Sequence, residues 1–249
     1  MSTLATLFIL ILAFVTALIS GVFGMAGGLI LMGGLGLVLT VPQAMTLHGL
    51  IQALSNGSRA GFLLSHVRWG IIGVYSLGAL AAAGLVFALA VQPSPAMLYV
   101  ALGLVPFLTW LPAKRLRLDA SRRLDAIVCG FLVSGLNLSA GVAGPLLDVF
   151  FVRSELTRHQ VVATKAATQT ISHAAKIAIY GAPILAAAPG EARQLGLMFV
   201  IAAPLTLAGT WVGARLLERW SDVSFRKWTR IVVTAAGVVF LVRGALLLA

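Results

Sequence analysis

Apolar runs separated by short polar or basic stretches organise this chain. Six of them are continuous: residues 42–65, 69–91, 96–111, 157–180, 194–217 and 225–248. As helices, each is close to the length needed to cross a hydrocarbon layer about 30 Å thick. Their ends carry breakers and charge: Ser65-His66-Val67-Arg68, then Gln92-Pro93-Ser94-Pro95, then Pro112 and the basic run 114–123. Two further runs, 4–40 and 125–152, are interrupted. The first breaks at Gly24-Met25-Ala26-Gly27-Gly28 and the second at Asn137-Leu138-Ser139-Ala140-Gly141. The pieces that follow, 29–39 and 142–151, are too short to span. Each broken run is either one kinked crossing helix or a re-entrant hairpin. Irregular backbone at that depth must be buried in protein or line a cavity.

The pattern then repeats itself. At an offset of 114, Ser20-Gly21 meets Ser134-Gly135 and Ala26-Gly27 meets Ala140-Gly141. At an offset of 117, Gln52 meets Gln169, Ser55 meets Ser172, His48 meets Lys165 and Arg59 meets Lys176. Internal repeats with broken helices are a mark of secondary transporters. The chain divides into a first transmembrane repeat, 1–113, a basic linker, 114–124, and a second transmembrane repeat, 125–249.

Composition fixes the class. The chain is 60% hydrophobic and only 10% charged, with a mean hydropathy of +1.02. Soluble domains carry about 25% charged residues, so this is an integral membrane protein without room for a soluble domain. The first apolar run lacks a basic leading region and a polar spacer, so it reads as part of the mature protein rather than a cleaved signal. The single cysteine, Cys129, excludes an internal disulfide. The net charge of +11 raises nucleic acid as a partner, but the basic residues gather at membrane edges. Topology accounts for them better, and the bilayer is the expected partner.

Charge counting also arbitrates the broken runs. Setting aside Arg59, Lys165 and Lys176 leaves 15 of the 18 Lys and Arg. If both broken runs cross, these divide 8 to 7 between the two sides; if both fold back, they divide 13 to 2. The positive-inside rule favours the second arrangement. The expected fold is an all-α membrane protein of two inverted repeats, each a re-entrant segment plus three transmembrane helices. Both termini are then periplasmic and the basic loops cytoplasmic.

Inverted repeats bring the two breaks together near the midplane. Each break presents the start of a short helix, near Met25 and near Ala140, with free N–H groups and about half a positive charge. That is an anion site, and glycines let backbone approach the ligand. The candidate tip residues are Gly24, Met25, Ala26, Gly27 and Gly28, with Asn137, Ser139, Ala140 and Gly141. Positions 48, 52, 55, 56 and 59 share one helix face, and 165, 169, 172, 173 and 176 repeat that spacing. Gln52, Ser55, Asn56, Gln169, Ser172 and His173 supply hydrogen-bond donors for an oxyanion, and Lys165 supplies charge. His48, Arg59 and Lys176 are expected along the path, the last two guarding its opposite ends. The bland alternatives are interhelical hydrogen bonding for the polar residues and snorkelling for Arg59 and Lys176. For Asp148 three roles stay open: a proton carrier, a partner of Lys165 or Arg153, or a residue at a loop end.

No nucleotide-binding motif, zinc spacing or nucleophile–base pair is visible. No metal, cofactor or enzymatic activity is therefore expected. At the paired breaks the chain resembles the sulfite exporter TauE/SafE family, also called the toluene sulfonate uptake permease group. The resemblance rests on Gly21-Val22-Phe23-Gly24-Met25-Ala26-Gly27-Gly28. It rests also on the weaker echo Gly135-Leu136-Asn137-Leu138-Ser139-Ala140-Gly141-Val142-Ala143-Gly144-Pro145, and on the small-residue helix after each. It implies a multi-pass bacterial inner-membrane protein that moves sulfite, a sulfonate or a related anion. The expected function is a secondary transporter, an exporter, of such an anion by alternating access. Its rivals are a passive anion channel and a non-transporting assembly factor, for which the two tips would pack dry against each other. Substrate identity, coupling ion and oligomeric state are not legible.

Overall fold

A computed structural model describes residues 2–23, 26–110, 118–217 and 222–249, without the side chains of 23, 217, 222–227 and 229. Gly24 and Met25 of the first break, and residues 114–117 of the basic linker, lie outside the described residues. The described elements are helical: α1 Thr3–Phe23, α2 Ala26–Leu35, α3 Val41–Phe62, α4 Trp69–Ala88 and α5 Pro95–Leu104 make up the first half. The second half holds α6 Arg123–Ala140, α7 Gly144–Phe151, α8 Arg158–Lys176, α9 Ala182–Ala187, α10 Pro189–Leu217 and α11 Asp222–Leu248.

The two broken runs both turn back on themselves. A Cβ at Gly27 would strike Thr16 and Ser20, and one at Gly34 would strike Leu12. So α2 runs antiparallel down α1. In the second run the Ala120 amide donates to the Phe150 carbonyl at 2.9 Å. That bond joins the approach to α6 with the end of α7. The second break falls at Gly141–Ala143, later than the sequence indicates. The helix runs through Asn137, Ser139 and Ala140 and stops only where Gly141 takes a left-handed conformation at φ 81°. Glycine alone adopts that turn without strain. The short second helix therefore begins at Gly144, not near Ala140.

The helices α3 and α8 start alike. Thr40 and Gln43 form a capping box, and so do Thr157 and Gln160. The two boxes stand 117 residues apart. Packed together, α3 and α8 run antiparallel, with Gly49 against Ile177 and Gly57 against Thr170. α5 and α11 also run antiparallel, with Gly103 against Leu241 and Gly244 against Val100. Across the halves, α1 runs parallel to α10 and α4 parallel to α6. The helix after Lys176 widens into a single π turn, Ile177–Gly181, before α9. Pro183 lies just beyond and withholds a backbone N–H, a usual cause of such a bulge. The apolar runs appear near their expected limits with three exceptions: the third loses its α-helical form at Leu104 and continues as 3-10 turns to Trp110, the fourth runs on to Ala187, and the fifth begins already at Pro189.

Polarity sorts the helices. Among the described residues five helices are long and apolar enough to cross a membrane: α1, α4, α6, α10 and α11. The polar pair α3 and α8 fails that test by composition rather than length. It lies inside, contacting α10 and α4 respectively, with His48, Ser55, Asn56, Ser172, His173 and Lys176 buried. The outer helices turn Leu80, Phe87, Val200 and Leu246 outward, as lipid requires.

Close helix crossings hold this arrangement. At the α4–α6 crossing, Gly78 meets the Ile127 carbonyl and Gly130 meets the Tyr75 carbonyl. Small residues let backbones approach where no hydrophobic effect drives association. Gly78→Leu and Gly130→Leu are each expected to destabilise the protein by about 3 kcal/mol or more, since backbone rather than a flexible side chain blocks the new Cβ. Gly84→Leu, where a Cβ meets open space, is expected to leave stability within ~0.5 kcal/mol. Thermal midpoints of the detergent-solubilised variants check this; a tolerated Gly130→Leu contradicts it.

Candidate functional site

The polar faces of α3 and α8 meet each other and the two turned-back tips around one polar cavity. Its walls are Gln52, Ser55, Asn56 and Arg59 from α3, Gln169, Ser172 and His173 from α8, Ser20 and Gly28 from the first hairpin, and Val133, Asn137 and Val142–Gly144 from the second. Its volume is about 30 Å³, room for one or two waters. Among the described residues no carboxylate lines it. Two buried nitrogens in its wall, Asn137 Nδ2 and His173 Nδ1, have no hydrogen-bond partner among the described residues. Buried polar groups are rarely left so. The Asn137 amide nitrogen can only donate, so what it needs is an acceptor.

Beside the cavity the two tips are tied together. Lys176, with no exposed surface, donates through Nζ to the Gly141 carbonyl at 2.5 Å. The same nitrogen lies 3.2 Å from His48 Nδ1, and His48 Nε2 lies 3.0 Å from the Gly28 carbonyl. A carbonyl only accepts, so Nε2 carries the imidazole proton and Nδ1 accepts from Lys176. The chain Gly28–His48–Lys176–Gly141 thus joins the first tip to the second through two side chains. Next to it, Gly141 packs on Met32 of α2, and the His173 ring stands 5.4 Å from that of His48. The tips touch here without a gap, while their other flank faces the polar cavity.

At the opposite end of the helix pair, Lys165 is ion-paired with Asp148 of α7. Arg59 stands within electrostatic range of Lys165. Because α3 and α8 are antiparallel, the offset of 117 maps the His48–Lys176 contact onto Lys165 and Arg59. The cavity serines are held from outside the site. Ser172 Oγ is 2.7 Å from the Tyr75 hydroxyl and 2.9 Å from Ser134 Oγ, and Ser55 Oγ is 3.0 Å from Thr210 Oγ1.

The structure gathers Gln52, Ser55, Asn56, Gln169, Ser172 and His173 of the duplicated face, and Gly28 and Asn137 of the two breaks, into the cavity wall. Arg59, expected toward one end of the path, lines the cavity itself. Lys176, expected to guard the other end, is enclosed at the tip junction instead, since helix continues for eleven residues beyond it. Lys165 does not line the cavity, and of the roles open to Asp148 the structure contains the pairing with Lys165. Ala26, Gly27, Ser139, Ala140 and Gly141 also lie outside the wall. Gly27 serves the α1–α2 crossing, Ser139 and Ala140 are in the last turn of α6, and Gly141 presents a carbonyl where an anion-binding N–H was expected. Sequence reasoning missed Ser20, although its match to Ser134 was visible. It also missed Tyr75 and Thr210, isolated polar residues in apolar helices with no pattern to mark them.

The chain belongs to the sulfite exporter TauE/SafE family, whose sequence model matches residues 9–240. No curated protein and no solved structure gives a significant match to it. The family and the apolar helices together make it a multi-pass membrane protein of a transport family for sulfur-containing anions.

Breaking the tip junction has a definite cost. His48→Ala leaves a buried Lys176 donor and the Gly28 carbonyl without their partner, a loss of about 1–3 kcal/mol of stability. Thermal midpoints in detergent measure it. His48→Gln, which can keep one donor and one acceptor, is expected to recover part of the loss; an unchanged midpoint for His48→Ala contradicts the bridge.

Proposed function

We propose that this chain is a secondary transporter, working as an exporter of a small sulfur oxyanion by alternating access of two inverted repeats around the polar cavity. The observation that carries the reading is the unpartnered Asn137 amide in the cavity wall. An anion supplies the acceptor it lacks. Around it stand two glutamines, three serines, a second asparagine and Arg59, a set of donors suited to oxyanion oxygens. The first turns of α2 and α7, at Gly28 and Gly144, add the positive ends of two helices.

Helix directions support the inverted repeat. Under a two-fold axis lying in the membrane plane, repeat mates run antiparallel, as α3 does to α8 and α5 to α11. The same axis maps the parallel pair α1–α10 onto the parallel pair α6–α4. Followed through these directions, Arg68, Arg122, Arg123, Arg153 and Arg158 fall at one side and Arg193 and Arg243 at the other, in keeping with the 13 to 2 division. The positive-inside rule makes the first side cytoplasmic. The tip junction then closes the periplasmic side, and the cavity, with Arg59 in its wall, lies toward the cytoplasm.

Size favours the smaller members of the substrate class. A cavity of about 30 Å³ suits an anion such as sulfite or a one-carbon sulfonate better than an aromatic one. Outward movement of one negative charge is favoured by about 2.3 kcal/mol per 100 mV of inside-negative potential, which is sufficient for export without a coupled ion.

Sulfite flux into and out of proteoliposomes tests the reading. Asn137→Ala is expected to raise KM by about tenfold, the worth of one hydrogen bond to a charged acceptor. The double variant Gln52→Ala with Gln169→Ala is expected to abolish saturable flux. Unchanged flux in the double variant removes the cavity as the substrate site, and flux that never saturates identifies a channel instead.

A further inference from the structure

Ser172 enters the cavity wall held by two other hydroxyls, and their geometry determines what it can offer a ligand. Its Oγ lies 2.7 Å from the Tyr75 hydroxyl and 2.9 Å from Ser134 Oγ, both ordinary hydrogen-bond lengths, whereas Tyr75 and Ser134 are 3.3 Å apart. Tyr75 is 1% exposed, Ser134 0% and Ser172 2%. A hydroxyl has one proton and two lone pairs. If Ser172 donates to either hydroxyl, the three protons run round the ring and one of them has only the 3.3 Å contact between Tyr75 and Ser134. If Tyr75 and Ser134 both donate to Ser172, each of their protons has an acceptor at good distance. The two lone pairs of Ser172 are then filled from inside the protein. Its own proton remains, and the cavity is the place left for it. On the other helix, Thr210 stands behind Ser55 in the corresponding way.

We propose that Tyr75 and Ser134 are positioning residues that fix Ser172 as a pure donor, so that the site sorts oxyanions by whether they still carry an O–H. Oxyanions whose oxygens only accept, such as sulfonates, find donors. A phosphonate or hydrogenphosphate of similar shape brings a proton that Ser172 cannot accept, so it must turn its O–H away from Ser172 toward an amide oxygen or His173 Nδ1 in the wall and lose the Ser172 donor or its best placement. Buried groups left unpaired are an efficient means of rejection. The inference rests on the oxyanion reading of this cavity and adds a rule of selection to it.

Methanesulfonate and the monoanion of methylphosphonate have the same charge and nearly the same shape and differ by one proton. Binding of each to the purified full-length protein, measured by calorimetry at slightly acidic pH, reads the rule directly. The wild type is expected to prefer methanesulfonate by about tenfold, the worth of one hydrogen bond. Tyr75→Phe and Ser134→Ala are each expected to bring the two ligands to within about twofold. Combining them is expected to add little, because both act through one oxygen. Ser172→Ala should abolish the preference as well, and a thermal midpoint for each variant separates loss of selection from loss of fold. Equal binding of the two ligands by the wild type overturns the inference, and so does a preference that survives in both folded single variants. Sulfite flux that persists in either case leaves the transport reading standing. A wild type that neither binds an anion nor moves sulfite overturns both.

Discussion

A lysine amino group with no exposed surface sits where two turned-back helices meet, and much of the architecture follows from satisfying it. Taking such a group out of water costs several kcal/mol unless its N–H groups find acceptors. Lys176 finds the Gly141 carbonyl and the His48 ring. The first requires that α6 stop in a left-handed turn, which glycine allows. The second requires a neutral imidazole with its proton on Nε2, and that proton in turn needs the Gly28 carbonyl. One buried lysine therefore specifies the end of one helix, the tautomer of a histidine and the position of a second tip.

Holding the tips this close sets conditions on helices that never touch them. α6 reaches its place by lying on α4 where Gly78 and Gly130 meet carbonyls of the opposite helix. α1 does the same on α10, with Gly21 against Gly213. The small residues are thus at crossings that position the hairpins, and bulk at any of them displaces a tip. The same logic explains the division between polar and apolar helices. α3 and α8 carry too many polar groups for lipid, so the apolar helices must surround them. A cavity with Gln52, Asn56 and Gln169 in its wall is tolerable at that depth because protein, not hydrocarbon, surrounds it.

The duplicated face was legible because helix geometry and repetition both mark it. The spacing of 48, 52, 55, 56 and 59 puts these residues on one stripe, and the second copy at 165–176 identifies the stripe as more than chance. What the stripe faces was less legible. Lys176 looked like a residue near a helix end, since the apolar run seemed to stop at Tyr180. The π turn and α9 carry the helix onward, so the lysine is enclosed. The second break was misplaced by a few residues because Asn137 and Ser139 look like turn residues in sequence. They are instead carried in helix until Gly141, and only backbone conformation distinguishes the two. Tyr75 and Thr210 were invisible for a different reason. Each sits in an apolar helix outside the duplicated stripe, and its partner lies 97 or 155 residues away.

The two ends of the α3–α8 pair are related by the repeat but not equal, and the difference is written in the residues. At one end His48 meets Lys176; at the other their counterparts are Lys165 and Arg59. An imidazole nitrogen can accept from a lysine amine, so the first end closes by direct contact. Two cations cannot bond each other, so the second end needs an anion to join it. Asp148 partly fills that need by pairing with Lys165, while Arg59 remains in the cavity wall. On the transport reading, the first end can seal without cargo and the second cannot do so in the same way. An anion that settles beside Arg59 supplies the negative charge that the His48 end does without. On that reading the repeat builds two similar gates, and the difference between them, histidine at one position and lysine at its mate, makes closure of the second depend on the anion.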